Sequence, residues 1–136
     1  MELINIDYKE FKAEIYQKYI EIFPEEERKS LETIEKNYNK NITRFIKIDE
    51  EKELIGFCIM NSIENNRYMQ LDYFAILPEY QNKGYGTKAI KELEKVVQNY
   101  DAIFVEIEKL CYGANKEENE IREKRESAST CIFYNR

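Results

Sequence analysis

Residues 71–96 read LDYFAILPEYQNKGYGTKAIKELEKV: an apolar run, a proline, a loop holding Gly84 and Gly86, then a helical pattern. Pro78 has no N–H for a sheet ladder and marks the end of a strand. From Gly84 to Tyr100, the residues Ala89, Ile90, Leu93 and Val96 recur on one side, with Val97 and Tyr100, which predicts an amphipathic helix. Glycines permit positive φ and let a bulky group approach the main chain within hydrogen-bonding distance. The first N–H groups of a helix lack helical acceptors, and its positive end favours an anion. The loop therefore suits an anion held by backbone amides. It is not a Walker phosphate motif, because no Gly-Lys-Ser/Thr follows, and Ala89 stands where G-x-G-x-x-G needs its third glycine. A turn that uses glycine for geometry alone fits the same residues, so both readings stay open here.

Upstream, ELINI (2–6) reads as a short strand, and Phe11, Ile15, Tyr19 and Ile22 form one helical stripe. Pro24 suits the first position of a second helix, predicted to run to Tyr38, with Glu25, Glu26 and Glu27 at its positive end. ITRFIKI (42–48) and ELIGFCIMNSI (53–63) read as a hairpin, and the turn ENNR (64–67) leads to a central strand over 68–77. DAIFVEI (101–107) is another strand, and NKEENEIREKRE is a charged, helix-prone run interrupted by SAST before CIFYNR. This order predicts one domain over 1–136 of the α/β (α+β) class, with antiparallel strands leading into a strand–helix–strand crossover.

Composition narrows the function. With 21 Lys and Arg against 27 Asp and Glu, the formal charge is −6. That balance repels nucleic acid and attracts cationic partners weakly. No apolar run reaches the roughly 20 residues that span a bilayer, so no membrane partner is expected. MELINIDYKE carries no basic and apolar leader, which points to the cytoplasm. Histidine is absent, which removes Ser-His-Asp and Cys-His catalysis, and Cys58, Cys111 and Cys131 lack metal-ligand spacing. No metal is implied.

The stretch FAILPEYQNKGYGTKAI resembles motif A of the GNAT superfamily of N-acetyltransferases, an apolar strand followed by [QR]-x-x-G-x-[GA] opening a helix. Gln81, Gly84 and Gly86 stand in the defining positions. The resemblance is specific over 71–97 and extends from residue 1 to about 110. It implies a central mixed, mostly antiparallel sheet flanked by helices, and acetyl-coenzyme A as co-substrate. The diphosphate would lie on the amides of Asn82, Lys83, Gly84, Tyr85, Gly86 and Thr87, with Gln81 beside them. The pantetheine arm would pair with Phe74, Ala75 and Ile76 like an added strand. An amine, on a small molecule or a protein, would attack the thioester directly, with the Ile76 N–H facing the oxyanion.

Three side chains are candidates for proton transfer. Some family members carry a base at the place held here by Gln70, which cannot titrate; Asp72, two residues on, faces the same side and is the replacement. Glu106 falls where other members place a glutamate on the next strand, and Tyr134 resembles a late tyrosine that protonates the departing thiolate. Each also has an ordinary reading as a strand or surface residue. FPEEER (23–28) resembles a segment between the family's first helices, which would border the acceptor groove, although an acidic helix start is the simpler and preferred reading. The region 113–136 is atypical: two further strands usually follow the late tyrosine, and none is expected here. The edge of DAIFVEI would then be unpaired unless the second subunit of a homodimer, the preferred reading, or the C-terminal segment folding back covers it. The alternative function is a catalytically weak or inactive module that binds coenzyme A or mediates protein interaction.

Overall fold

The computed structural model describes residues 1–96, 98–105, 110–111 and 131–134. Strand β1 (Glu2–Ile6) leads through an Asp7 cap into α1 (Tyr8–Glu10), a π-helical stretch (Phe11–Ile15) and α2 (Tyr16–Ile22), which run on without a break. Phe11, Ile15 and Tyr19 are buried as the stripe predicts, and Phe23 rather than Ile22 completes it. The expected second helix over 24–38 is two elements. A short 3-10 turn (Glu25–Glu27) ends in extended backbone, and α3 (Leu31–Asn39) starts anew from Ser30, whose side chain accepts the Thr33 N–H. The break has a physical cause. The Tyr73 hydroxyl donates to the Glu27 carbonyl at 2.5 Å, and the Lys29 N–H donates to the Tyr19 hydroxyl at 2.7 Å. Backbone groups that would continue a helix are held by side chains instead.

The hairpin strands β2 (Thr43–Glu50), β3 (Glu53–Ile63) and β4 (Tyr68–Ile76) lie within a residue or two of their expected bounds. Glu51 and Lys52 both take positive φ, as a tight two-residue hairpin requires. Helix α4 spans Tyr85–Val96 and buries Ala89 and Leu93, whereas Val96, expected on the same stripe, is 41% exposed and Val97 lies outside the described residues. Tyr100 still reaches the core, from the turn beyond the helix, with the Arg44 guanidinium 5.8 Å from its ring centroid.

After α4 come β5 (Ala102–Val105), the two-residue β6 (Leu110–Cys111) and β7 (Cys131–Tyr134). The sheet order is β1-β2-β3-β4-β5-β7, with β6 also on β4. β1 to β4 are antiparallel, and β5 and β6 join β4 in parallel, giving the expected mixed sheet. The open edge expected on β5 is not there: β7 covers it antiparallel, Ala102 opposite Tyr134 and Val105 opposite Cys131. The C-terminal segment supplies its own strand, so edge exposure gives no argument for a homodimer.

One irregularity organises the sheet. β3 matches Ile59 with Tyr73 and Met60 with Leu71, leaving Asp72 as a bulge in β4. Met69 and Leu71 before it, and Phe74 and Ile76 after it, pack with Ala89 and Leu93 of α4. Tyr73, Ala75 and Leu77 pack on the other face with Phe11, Tyr19 and Ile34. The bulge thus brings Asp72 and Tyr73, neighbours in sequence, to the same side.

Candidate active site

The loop after β4 turns sharply into α4 and leaves open space at the helix mouth. Pro78–Tyr80 form one 3-10 turn, and the Gln81 side-chain amide donates to the Ile76 carbonyl at 2.9 Å, tying the loop to the strand end. Asn82 and Gly84 take positive φ, 67° and 80°, which turn the chain sharply into α4. A Cβ placed on Gly84 would meet no atom within 4 Å, so the space above it is open. The Lys88 N–H donates to the Gly84 carbonyl, one turn back, at 3.2 Å. The amides of Tyr85 and Gly86 precede it, at the positive end of the helix. A diphosphate fits this arrangement of open space, left-handed turn and helix terminus.

The adjoining strand end is aimed at the same place. The Leu77 N–H donates to the Ile55 carbonyl at 2.7 Å, on the β3 side. One residue earlier, alternation turns the Ile76 N–H to the opposite edge. The edge expected to receive the pantetheine at Phe74 and Ala75 is occupied: β6 pairs there, Leu110 opposite Phe74 and Cys111 opposite Ala75. Ile76 lies beyond that two-residue pairing, and β5 stops pairing at Leu71. An arm bound along Phe74 and Ala75 has to take the place of β6.

At the bulge, side chains from distant parts of the chain converge on Asp72. Its carboxylate is 2% exposed, and its Oδ2 accepts from Lys29 Nζ at 2.5 Å and from Asn61 Nδ2 at 3.0 Å. Asn61 is held in turn by the Thr43 hydroxyl, which donates to Asn61 Oδ1 at 2.8 Å. Thr43 also lines a polar cleft of about 630 Å³ with Tyr38, Asn39, Asn41, Arg44 and Asn66, at the far end of this network from Lys29. The Lys29 backbone N–H meets two hydroxyls, Tyr19 at 2.7 Å and Tyr73 at 3.2 Å. The two rings lie edge to face, 4.9 Å between centroids. Burial first, then the bond to Tyr73, pushes the Tyr19 hydroxyl well above the ordinary tyrosine range, so it stays a proton-bearing donor.

Of the three proton-transfer candidates, Asp72 is therefore a buried, hydrogen-bonded carboxylate rather than a solvent-facing strand residue. Glu106 lies outside the described residues. Tyr134 stands opposite Ala102, which is level with Tyr68 on β4. Phe74 is six residues farther along, roughly 20 Å at 3.3 Å per residue. Lys29, Asn61 and Tyr73 went unnoticed as site residues in the sequence. Asn61, a lone amide in the apolar run FCIMNSI, offered a signal, whereas Lys29 offered none.

Comparison with known proteins agrees with the fold. Residues 12–115 match the family model described as Acetyltransferase (GNAT) family. Among solved structures, a Bacteroides thetaiotaomicron protein assigned to GNAT-family acetyltransferases aligns at 18% identity and a TM-score of 0.68, over 93% of this chain and 70% of its own. The Escherichia coli ribosomal-protein-S18-alanine N-acetyltransferase aligns at 15% identity and 0.60, over 90% and 74% of the two chains. The PaiA N-acetyltransferase of Thermoplasma acidophilum, solved in complex with coenzyme A, aligns at 19% identity and 0.54, over 96% and 95%. No curated protein sequence matches. No helix among the described residues is long and apolar enough to cross a membrane.

Proposed function

We propose that this chain, which belongs to the acetyltransferase (GNAT) family, moves an acetyl group from acetyl-coenzyme A to an amine by direct attack. The observation that carries the reading is the cradle: Gly84 at φ 80° beneath open space, at the mouth of α4. Amides from Asn82 to Thr87 would hold the diphosphate there. Coenzyme A supplies, when bound, an acyl group already activated as a thioester.

The chain's own residues supply the rest. The Ile76 N–H, turned to the strand edge, is placed to donate to a carbonyl oxygen as negative charge builds on it. Gln81 locks that strand end to the cradle, so donor and diphosphate site keep a fixed spacing. An alkylammonium, with a pKa of about 10.4, has to lose a proton before it attacks. Asp72, oriented by Asn61, is the carboxylate to receive it. The acceptor is an amine on a small molecule or a protein, and the net charge of −6 favours a cationic one.

Thermal unfolding with and without acetyl-coenzyme A tests the cradle; a ligand at 100 times its Kd adds about 2.7 kcal/mol. No shift at millimolar concentration removes the reading. Release of free thiol with a panel of primary amines tests the transfer. The pairing of β6 with Phe74 and Ala75 favours a second reading, a chain that holds coenzyme A and turns over little. Stabilisation without thiol release from any amine would select it.

A further inference from the structure

The contact between Lys29 and Asp72 has the chemistry of an acceptor complex, an alkylammonium on a carboxylate, made from within the chain. We propose that the Asp72 carboxylate is a primary-ammonium site, filled by Lys29 in the resting protein, and that an amine enters by displacing that side chain. The identity of the incoming amine as the acetyl acceptor rests on the function proposed above; the ammonium site itself does not.

The two partners are unequal. Asp72 is 2% exposed and sits on the central strand, so its charge needs a cation close by. Lys29 is 36% exposed, and its ammonium ends a flexible stem of four carbons, so it reaches water with little rearrangement. The anion is fixed and the cation exchangeable.

The surroundings are built to survive the exchange. Asn61 Nδ2 donates to the same Oδ2 that Lys29 holds, and Thr43 fixes Asn61, so the carboxylate keeps its orientation when Nζ leaves. The Lys29 backbone is tied separately, through its N–H to the Tyr19 and Tyr73 hydroxyls, and the Tyr73 hydroxyl also holds the Glu27 carbonyl. The loop therefore stays while the side-chain tip swings out. What is vacated has the size of an ammonium on a methylene chain, with a carboxylate oxygen at its end. A primary alkylammonium satisfies that oxygen with an N–H, and a quaternary ammonium has none to offer. Lys29 thus acts as a specificity-determining competitor: it admits amines that replace its own hydrogen bond and turns away those that cannot.

The test removes the internal cation and returns it from solution. In Lys29→Ala, thermal unfolding should shift to lower temperature. Titration with n-butylammonium chloride should restore it along a saturating curve, at constant ionic strength. Tetramethylammonium should give no such curve, and neither should the double variant Lys29→Ala with Asp72→Asn. An equal rise with tetramethylammonium, an equal rise in the double variant, or no rise at all overturns the proposal. Lys29→Met, which keeps the apolar stem, carries the same titration if the alanine variant does not fold. As a kinetic readout, KM for n-butylamine should fall severalfold in Lys29→Met with KM for acetyl-coenzyme A unchanged; an unchanged amine KM counts against displacement. Rescue by butylammonium in a protein that acetyl-coenzyme A does not stabilise would sink the acetyl-transfer reading and leave the ammonium site standing. Stabilisation by acetyl-coenzyme A without rescue would do the reverse.

Discussion

The two halves of the site hang from one strand and are made in opposite ways. The proposed cradle beyond Ile76 is contiguous, residues 77–88, and the groups proposed to bind there are amides beside two positive φ angles. The cluster at the bulge draws Tyr19, Lys29, Thr43, Asn61 and Asp72 from four elements and loops, and its working groups are side chains, with Lys29 and Asp72 43 residues apart. A group held by backbone geometry tolerates side-chain change but not a change of conformation. A group held by side chains tolerates the opposite. The donor half should therefore respond to glycine substitutions and the acceptor half to the loss of single polar atoms.

The largest effect is expected where the halves share a foundation. Gly56 lies opposite Ile76, and a Cβ there would stand 2.4 Å from the Ala75 carbonyl oxygen. Gly56→Ala should cost about 3 kcal/mol in urea unfolding, at the upper end of overpacking penalties, because backbone has to move; a loss near zero would mean that β3 and β4 part easily. Next, Tyr73→Phe strips the Glu27 carbonyl of its donor and should cost about 1.5 kcal/mol, leaving acetyl-coenzyme A affinity as it was. An affinity loss there would merge the two halves.

Alkali probes the same cluster without mutation. Tyrosine in the unfolded chain ionises near 10, while native Tyr19 is held higher by burial, so the unfolded state sheds that proton first. The contribution of Tyr19 is complete below about pH 10 and declines above it, by at most about 1.4 kcal/mol for each pH unit. A urea midpoint that fell no faster above pH 10 in the native protein than in Tyr19→Phe would show that Tyr19 is not the group responsible. On the donor side, Gly84→Ala should cost about 1 kcal/mol through its positive φ and weaken acetyl-coenzyme A binding, with Gly84→Asn milder in stability. Smallest of all, Lys83→Ala should change stability by less than about 0.5 kcal/mol. If calorimetry shows that this one side chain carries most of the affinity, the cradle does not work through amides.

The same contrast explains what could be read in advance. Gln81, Gly84 and Gly86 announce the sharp turn into α4 because a site proposed on backbone needs particular residues at adjacent positions. The hairpin strands were legible for a like reason: alternation and turn residues act over a few positions. The helix expected over 24–38 failed because two hydroxyls, one of them 46 residues away, take backbone groups that propensity assigns to the helix. Val96 of α4 is exposed where the apolar pattern expects burial, and Tyr100 is buried from a turn beyond the helix instead. Gly56 carried a signal that went unused, since glycine inside a strand marks a close approach of backbone. Lys29 carried none, because nothing local distinguishes an internal counter-ion from a surface lysine. The paired edge of β5 was equally hidden, in a strand that β7 adds from far along the chain.

The unmatched residue in β4 has a consequence for how this strand tolerates change. Removing Asp72 alone would leave a regular ladder with β3, every rung still available. Because Asp72 and Tyr73 share a side, the remaining residues already alternate, so Phe74 and Ile76 stay with α4 and the Tyr73 ring stays with the N-terminal helices. A one-codon deletion here would excise the carboxylate and leave the contents of the two layers where they are.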